Sequence, residues 1–173
     1  MGRRWASPRG GLWMTVIMRP EKLKAVSLLS LAGGVAVARA LRALYGVEAR
    51  LKWPNDVVVA GRKVAGILVE GSAGPSGFRY MLLGLGVNVN NELPHELSET
   101  AVALRELLDR PVPRAPLLLR ILWELDDAYS KLVSGASSVL GEWRSLSMTL
   151  GRRVRVLTVE GAVEGLAVDV SEE

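Results

Sequence analysis

The segment Glu21–Tyr45 does most to limit the folds open to this chain. It has no proline, is rich in Ala and Leu, and stops at Gly46, a residue type that commonly ends helices. Its first half is apolar almost all round, and a helix with no polar face has to be enclosed. The apolar run Ala25–Ala38 is shorter than the ~20 residues a bilayer core requires, and Gly33-Gly34 interrupts it, so a core helix is expected rather than a membrane span. Strands flank it. Leu12–Met18 follows Gly10-Gly11 and closes at Arg19-Pro20; Ala49–Trp53 ends at Pro54. Val57–Val59 and Lys63–Glu70 enclose Ala60-Gly61-Arg62 as a hairpin, and Phe78–Val89 returns after the loop Ser72–Gly77. Strands joined by short turns imply a mixed, largely antiparallel sheet covered by helices, an α+β layer design.

The second half reads differently. Ser98–Leu108, Ala115–Val133 and Ser138–Leu150 read as helices, punctuated by Pro111-Val-Pro113 and Gly135. Arg153–Val159 and Ala162–Val170 then read as strands around Glu160-Gly161. Two strands are marginal as an independent unit, so they either pack on the main body or open a small β unit. The expected division is 1–150 and 151–173.

Composition narrows the chemistry. Hydrophobic residues make up 49% and charged residues 23% of the chain, which suits a folded globular protein. There is no cysteine, hence no disulfide, thiolate zinc site or cysteine nucleophile. His95 is the single histidine and sits between Pro94 and Glu96, which speaks against a Ser-His-Asp device or a multi-histidine metal site. No secretory signal is visible, and with the lack of cysteine this makes the cytoplasm the expected location. Residues 1–20 carry Arg3, Arg4, Arg9 and Arg19 and no acid. Such an edge suits a nucleic acid, an anionic membrane or a phosphate-bearing small molecule, or is simply a solvated basic face.

One stretch points to a site. Lys52-Trp-Pro-Asn-Asp56 sets polar groups at a turn, and Lys63 stands at the mouth of an apolar strand containing Gly66. A lysine aimed into such a place is costly unless an anion meets it. Strand alternation puts Lys63 on the opposite face from Gly66 and Leu68. Gly84-Leu-Gly86 has no third glycine and no following helix, so it is a weak dinucleotide fingerprint, and no lysine-bearing phosphate loop is present.

Four ordered motifs carry a resemblance: Arg4-Trp-Ala-Ser-Pro-Arg-Gly-Gly-Leu-Trp13, Lys52-Trp-Pro-Asn-Asp56, Arg62-Lys-Val-Ala-Gly-Ile-Leu-Val-Glu70 and Gly84-Leu-Gly-Val-Asn-Val-Asn90. Together they resemble the biotin protein ligases over essentially the whole chain, without a DNA-binding helix-turn-helix. Glu142-Trp-Arg followed by Leu150-Gly-Arg-Arg-Val resembles that family's junction into a small SH3-like C-terminal barrel, of which residues 151–173 would be the first strands. The fold implied is that of class II aminoacyl-tRNA synthetases and biotin–lipoate ligases. The implied reaction joins biotin and ATP into biotinyl-5'-AMP, then transfers biotin to a lysine of a biotin carboxyl carrier protein domain. Mg²⁺ would travel with ATP, with no dedicated protein cage. No nucleic acid or membrane partner is implied, and a homodimer is open.

The resemblance assigns roles. Lys63 would offset the repulsion between the biotin carboxylate and the α-phosphate. Asp56 would orient or deprotonate the attacking lysine, and Asn55 would hold the nucleotide; both also suit a self-satisfied turn. With Lys63, Gly66 and Leu68 would line one side of the biotin pocket through backbone atoms, and Gly84 and Gly86 would close the other side in the same manner. Gly2 and Arg3 would lie in the loop over the adenylate, with Arg3 on phosphate, Trp5 against adenine and Asn88 recognising the base. The family's loop reads Gly-Arg-Gly-Arg-x-Gly-Arg-x-Trp, and aligned on Trp5 this chain begins at the x before Gly2. The arginine that works beside the lysine, the preceding strand and helix, and a Ser/Thr-Asn element for biotin fall before Met1. A fragment of a longer gene product is the expected explanation; a genuinely short enzyme would adenylate poorly. The alternatives are a lipoate ligase or acyltransferase of the same fold, a nucleic-acid-binding module using the basic N-terminus, and an inactive remnant that dimerises through a sheet edge.

Overall fold

The apolar segment forms α1 (Val26–Tyr45), and it is enclosed because it lies between a sheet and two further helices. The computed structural model describes residues 6–19, 26–74, 77–158 and 161–171; Glu21–Ala25, expected as the first turns of this helix, lie outside them. The sheet is built from β1 (Leu12–Met18), β2 (Arg50–Lys52), β3 (Asp56–Val59), β4 (Arg62–Gly74) and β5 (Gly77–Val87). Its order is β1-β5-β4-β3-β2, and every neighbouring pair is antiparallel.

Alternation sorts the strand residues onto two faces. Leu51, Val57, Ala65, Ile67, Leu83, Leu85 and Val87 share the face under α1, and none is more than 2% exposed. Close approach there uses Gly33, where an added methyl would meet Leu83 Cδ1 at 3.2 Å and Ile67 Cγ2 at 3.3 Å. Length and composition alone would let Ser27–Tyr45 cross a membrane, so the shortness inferred from Ala25–Ala38 does not hold. Packing is what identifies a core helix, since 67% of its most apolar stretch is buried within the fold.

The other side of α1 meets α3 (Arg114–Ser134) and α4 (Ser137–Leu146). Arg39 on α1 bonds Glu142 through Nε and Nη2, and reaches Asp127 at 2.5 Å and Glu124 at 3.4 Å. Arg120 and Lys131 close the network onto Glu124 at 2.7 Å and Asp127 at 2.6 Å. Burial pulls the Arg39 pKa down, but the hydrogen bonds to Glu142 and Asp127 outweigh it and raise it further above its ordinary value.

Two expected helices are corrected. Ser98–Leu108, preceded by a 3-10 turn (His95–Leu97), is helical only in the single-turn α2 (Leu104–Leu107), after an extended crossing at Ala101. Tertiary hydrogen bonds override helix propensity: Lys63 N–H donates to Thr100 O at 2.8 Å and Val102 N–H to Lys63 O at 2.9 Å. Ser138–Leu150 is helical only to Leu146. Ser147 turns extended and bridges Leu51, and Met148 N–H donates to Leu51 O at 2.8 Å, covering the edge of β2.

The chain closes with a two-stranded hairpin of β6 (Arg153–Thr158) and β7 (Gly161–Leu166); Val159 and Glu160 lie outside the described residues. Arg144 on α4 ties down the segment after β7, bonding Asp169 at 2.6 Å and Val170 O at 3.0 Å. The hairpin itself remains open to solvent, with Leu157 and Val163 more than 60% exposed.

Candidate active site

The face away from α1 carries the predicted residues, and register fixes their order. One row crosses all five strands as Trp13, Gly86, Gly66, Asp56 and Lys52. The adjacent row runs Thr15, Gly84 and Leu68. Three glycines therefore leave a strip of bare backbone, with Trp13 and Thr15 on one side and Asp56 on the other. Leu68 is 58% exposed, an apolar side chain standing free beside that strip. Gly84 is not demanded by packing, because an added methyl would meet Leu68 O at 3.4 Å and Leu68 Cβ at 3.7 Å, both ordinary contacts.

Lys63 joins this face through an irregularity that alternation does not foresee. Val57 pairs with Ala65, but Val58 pairs with Lys63, so Val64 is an extra residue in β4. The bulge shifts the phase by one, and Lys63 stands on the same face as Gly66 and Leu68, contrary to the expectation from simple alternation. Its ammonium forms an ion pair with Asp56 Oδ1; that oxygen is enclosed by protein, and among the described residues no other donor reaches it. The two-residue turn Ala60-Gly61, with φ of 50° and 77°, leads into the bulge. Lys63 is then held on both sides of its peptide by Thr100 and Val102.

Asn55 has a structural task. Its Nδ2 donates to Ile67 O at 2.7 Å while Ile67 N–H donates to Asn55 O at 2.9 Å, stapling the Pro54-Asn55 turn, entered through a cis Trp53–Pro54 bond, onto β4. Asn88 stands just past β5, and the turn it begins gathers the neighbouring loops. Asn90 N–H donates to Gly10 O at 2.9 Å, and the Asn90 side chain exchanges two hydrogen bonds with the Val112 backbone, each 2.8 Å. A methyl at Gly10, whose φ is 102°, would lie 2.8 Å from Asn90 C, so the Gly10-Gly11 loop closes on this turn because it carries glycine. Arg114 adds a bond to Gly11 O at 3.1 Å.

The structure thus brings Lys63, Asp56, Gly66, Leu68, Gly84 and Gly86 to one face, with Asn55 beneath its edge and Asn88 at its end. Gly2, Arg3 and Trp5 lie outside the described residues. Trp13, Thr15 and Asn91 were not singled out from sequence. Trp13 lay within a motif already noticed, whereas Asn91 offered no signal beyond adjacency to Asn90. A hollow of about 570 Å³ also lies between Arg50, Val58, Gly61, Met148 and Arg152; none of the predicted residues lines it, so the site is placed on the glycine strip. Among the described residues no three His, Asp or Glu side chains gather as a metal site, and no protein ligands are assigned to Mg²⁺.

Fold and site define a class: an α+β domain whose sheet offers one bare, glycine-floored face with a bulge-mounted lysine and a carboxylate at its border. The biotin/lipoate A/B protein ligase family model matches residues 1–88, and the chain belongs to that family. It is 32% identical to the bifunctional ligase/repressor BirA of Bacillus subtilis over 100% of this chain and 55% of that protein. It is 35% identical to the biotin–[acetyl-CoA-carboxylase] ligase of Mycobacterium tuberculosis over 99% of this chain and 65% of that protein. The biotin protein ligase of Aquifex aeolicus, solved with biotin and ATP, superposes with a TM-score of 0.88 at 32% identity, covering 99% of this chain and 72% of that one. The chain therefore spans little more than half the length of the BirA relative.

Proposed function

We propose that this chain carries the catalytic face of an ATP-dependent biotin–protein ligase. The observation that bears most weight is the phase-shifted Lys63, mounted over Gly66, Gly84 and Gly86 beside Asp56. The glycine strip, with no side chains in the way, lets the fused bicyclic ring of biotin lie close against the backbone. A biotin carboxylate oxygen attacks the α-phosphorus of ATP, pyrophosphate leaves, and biotinyl-5'-AMP forms. Two anions approach in that step, and Lys63 offsets their repulsion, leaving Asp56 as it does so. Freed of the ammonium, Asp56 is able to take the proton from the acceptor lysine, whose nitrogen attacks the acyl carbon and expels AMP. Asn88 and Trp5 would serve the adenine, Arg3 and Gly2 the phosphate side, and Asn55 acts by holding the turn that presents Asp56. Mg²⁺ enters with ATP. The acceptor is a lysine on a biotin carrier domain.

Incubating the chain with biotin, MgATP and a carrier domain tests this, once as it stands and once with an upstream extension restored. In whichever form is active, Lys63→Ala should lower adenylate formation ~100-fold or more; full activity in that variant would remove Lys63 from the reaction. The family overlap with lipoate ligases supplies the second reading. Free lipoate competing for the site where biotin does not would favour it.

A further inference from the structure

The Val89 N–H has only one option, which is to donate. The Asn91 atom that meets it at 3.0 Å is therefore the amide oxygen, and this fixes the other pole of Asn91 as its amino group. That amino group donates to the Asn88 side chain at 3.2 Å, so the atom receiving it is Asn88 Oδ1. It also lies 3.5 Å from Glu92 O, a second acceptor on the same side. Asn91 is 2% and Asn88 9% exposed. The Asn88 backbone is fixed as well, its N–H donating to Val64 O at 2.8 Å and its carbonyl accepting from Leu104 N–H at 3.0 Å. A single backbone hydrogen thus propagates an orientation through two side chains. Asn88 keeps its oxygen toward Asn91, and among the described residues nothing accepts from its amino group.

We infer that Asn91 is a positioning residue that sets the polarity of nucleotide recognition, an inference that rests on the reading of Asn88 as a base-contacting group. By holding Asn88 Oδ1, it makes Asn88 a hydrogen-bond donor toward the base. The matching feature is an unprotonated ring nitrogen of a purine. Asn91→Asp reverses this arrangement with minimal change of shape. One carboxylate oxygen still accepts from Val89 N–H, while the other repels Asn88 Oδ1 and draws the Asn88 amino group inward, leaving an oxygen toward the ligand.

The test compares the unaltered chain with Asn91→Asp by calorimetric titration of MgATP and, separately, of biotin, at about pH 8 so that a buried carboxylate is ionised. MgATP binding is expected to weaken about tenfold or more, the scale of a lost and mismatched hydrogen bond, with biotin binding unchanged. Side-chain amide exchange gives a readout that needs no ligand: the Asn88 amino hydrogens, fast in the unaltered chain, should become slow in the variant. Wild-type MgATP affinity in Asn91→Asp, or unaltered exchange at Asn88, overturns the inference while leaving the ligase reading in place. If neither the chain nor its upstream-extended form binds biotin or MgATP, the ligase reading falls and the nucleotide role of Asn91 falls with it. Should Asn91→Asp fail to fold, Asn88→Asp keeps the oxygen that Asn91 needs and turns the other pole into an acceptor. The same loss of MgATP binding is expected there, and its absence overturns the donor polarity.

Discussion

Gly84 separates what the protein requires from what a ligand requires. Its surroundings admit a methyl at ordinary contact distance, so Gly84→Ala should fold with stability changed by no more than about 0.5 kcal/mol. If the strip seats biotin, the same variant should bind it at least about tenfold more weakly, as read by calorimetry beside a thermal melt. Unchanged biotin affinity would move the pocket elsewhere; a large drop in melting temperature would make the glycine a packing residue. Single residues were partly legible in the sequence. Lys63, Asp56 and the glycines stood out because their motifs are ordered, and the structure puts them together. The face of Lys63 was not legible, since one extra residue at Val64 reverses every inference from alternation. Asn91 was invisible because its role depends on a buried hydrogen-bond relay rather than on any pattern.

At the level of elements, adjacent glycines of α1 make opposite demands. Gly33 faces Leu83, Ile67 and Leu85 at 3.2–3.4 Å, whereas a methyl on Gly34 would reach only Leu51 Cδ2 at 3.4 Å and Ile67 Cδ1 at 4.0 Å. Gly34→Ala should stabilise the fold by up to about 1 kcal/mol through helix propensity. Gly33→Val should instead cost ~1–3 kcal/mol by overpacking, and urea denaturation of the two variants checks both signs. β1 was expected over Leu12–Met18 and is found there, because alternation and its flanking Gly and Arg-Pro agree. Ser98–Leu108 misled because its local composition favours a helix, while Lys63, Asn88 and Val89 claim its backbone groups from elsewhere in the sheet. Competition of that kind has no local trace.

Across the whole molecule, charge holds the helical layer together behind the site. Arg39 joins α1 to carboxylates on α3 and α4, residues that lie too far apart in sequence to suggest a cluster. Arg39→Met should destabilise the chain by ~1–2 kcal/mol, between the scale of an exposed ion pair and that of a buried one, because only Glu124 among its partners is buried and it keeps Arg120. The hydrogen bonds from Lys131 and then Arg39 hold the Asp127 carboxyl below its ordinary value, and Arg144 does the same for Asp169. A depressed carboxyl contributes stability that is complete above its unfolded-state value and lost as the pH falls through the folded one. Stability measured by urea melts should therefore stay level as the pH falls toward ~4 and decline below it, with a shallower decline in Asp127→Asn.

The bulge has a consequence for how such chains vary. At position 64 the count of residues matters more than their kind. Replacing Val64 with a smaller apolar residue trims packing but leaves the lysine on its face, whereas removing it would leave the composition almost intact and send Lys63 toward the core. Two sequences differing there by one gap would look nearly identical and have opposite sidedness. A missing letter at this point is a stronger warning than any substitution nearby.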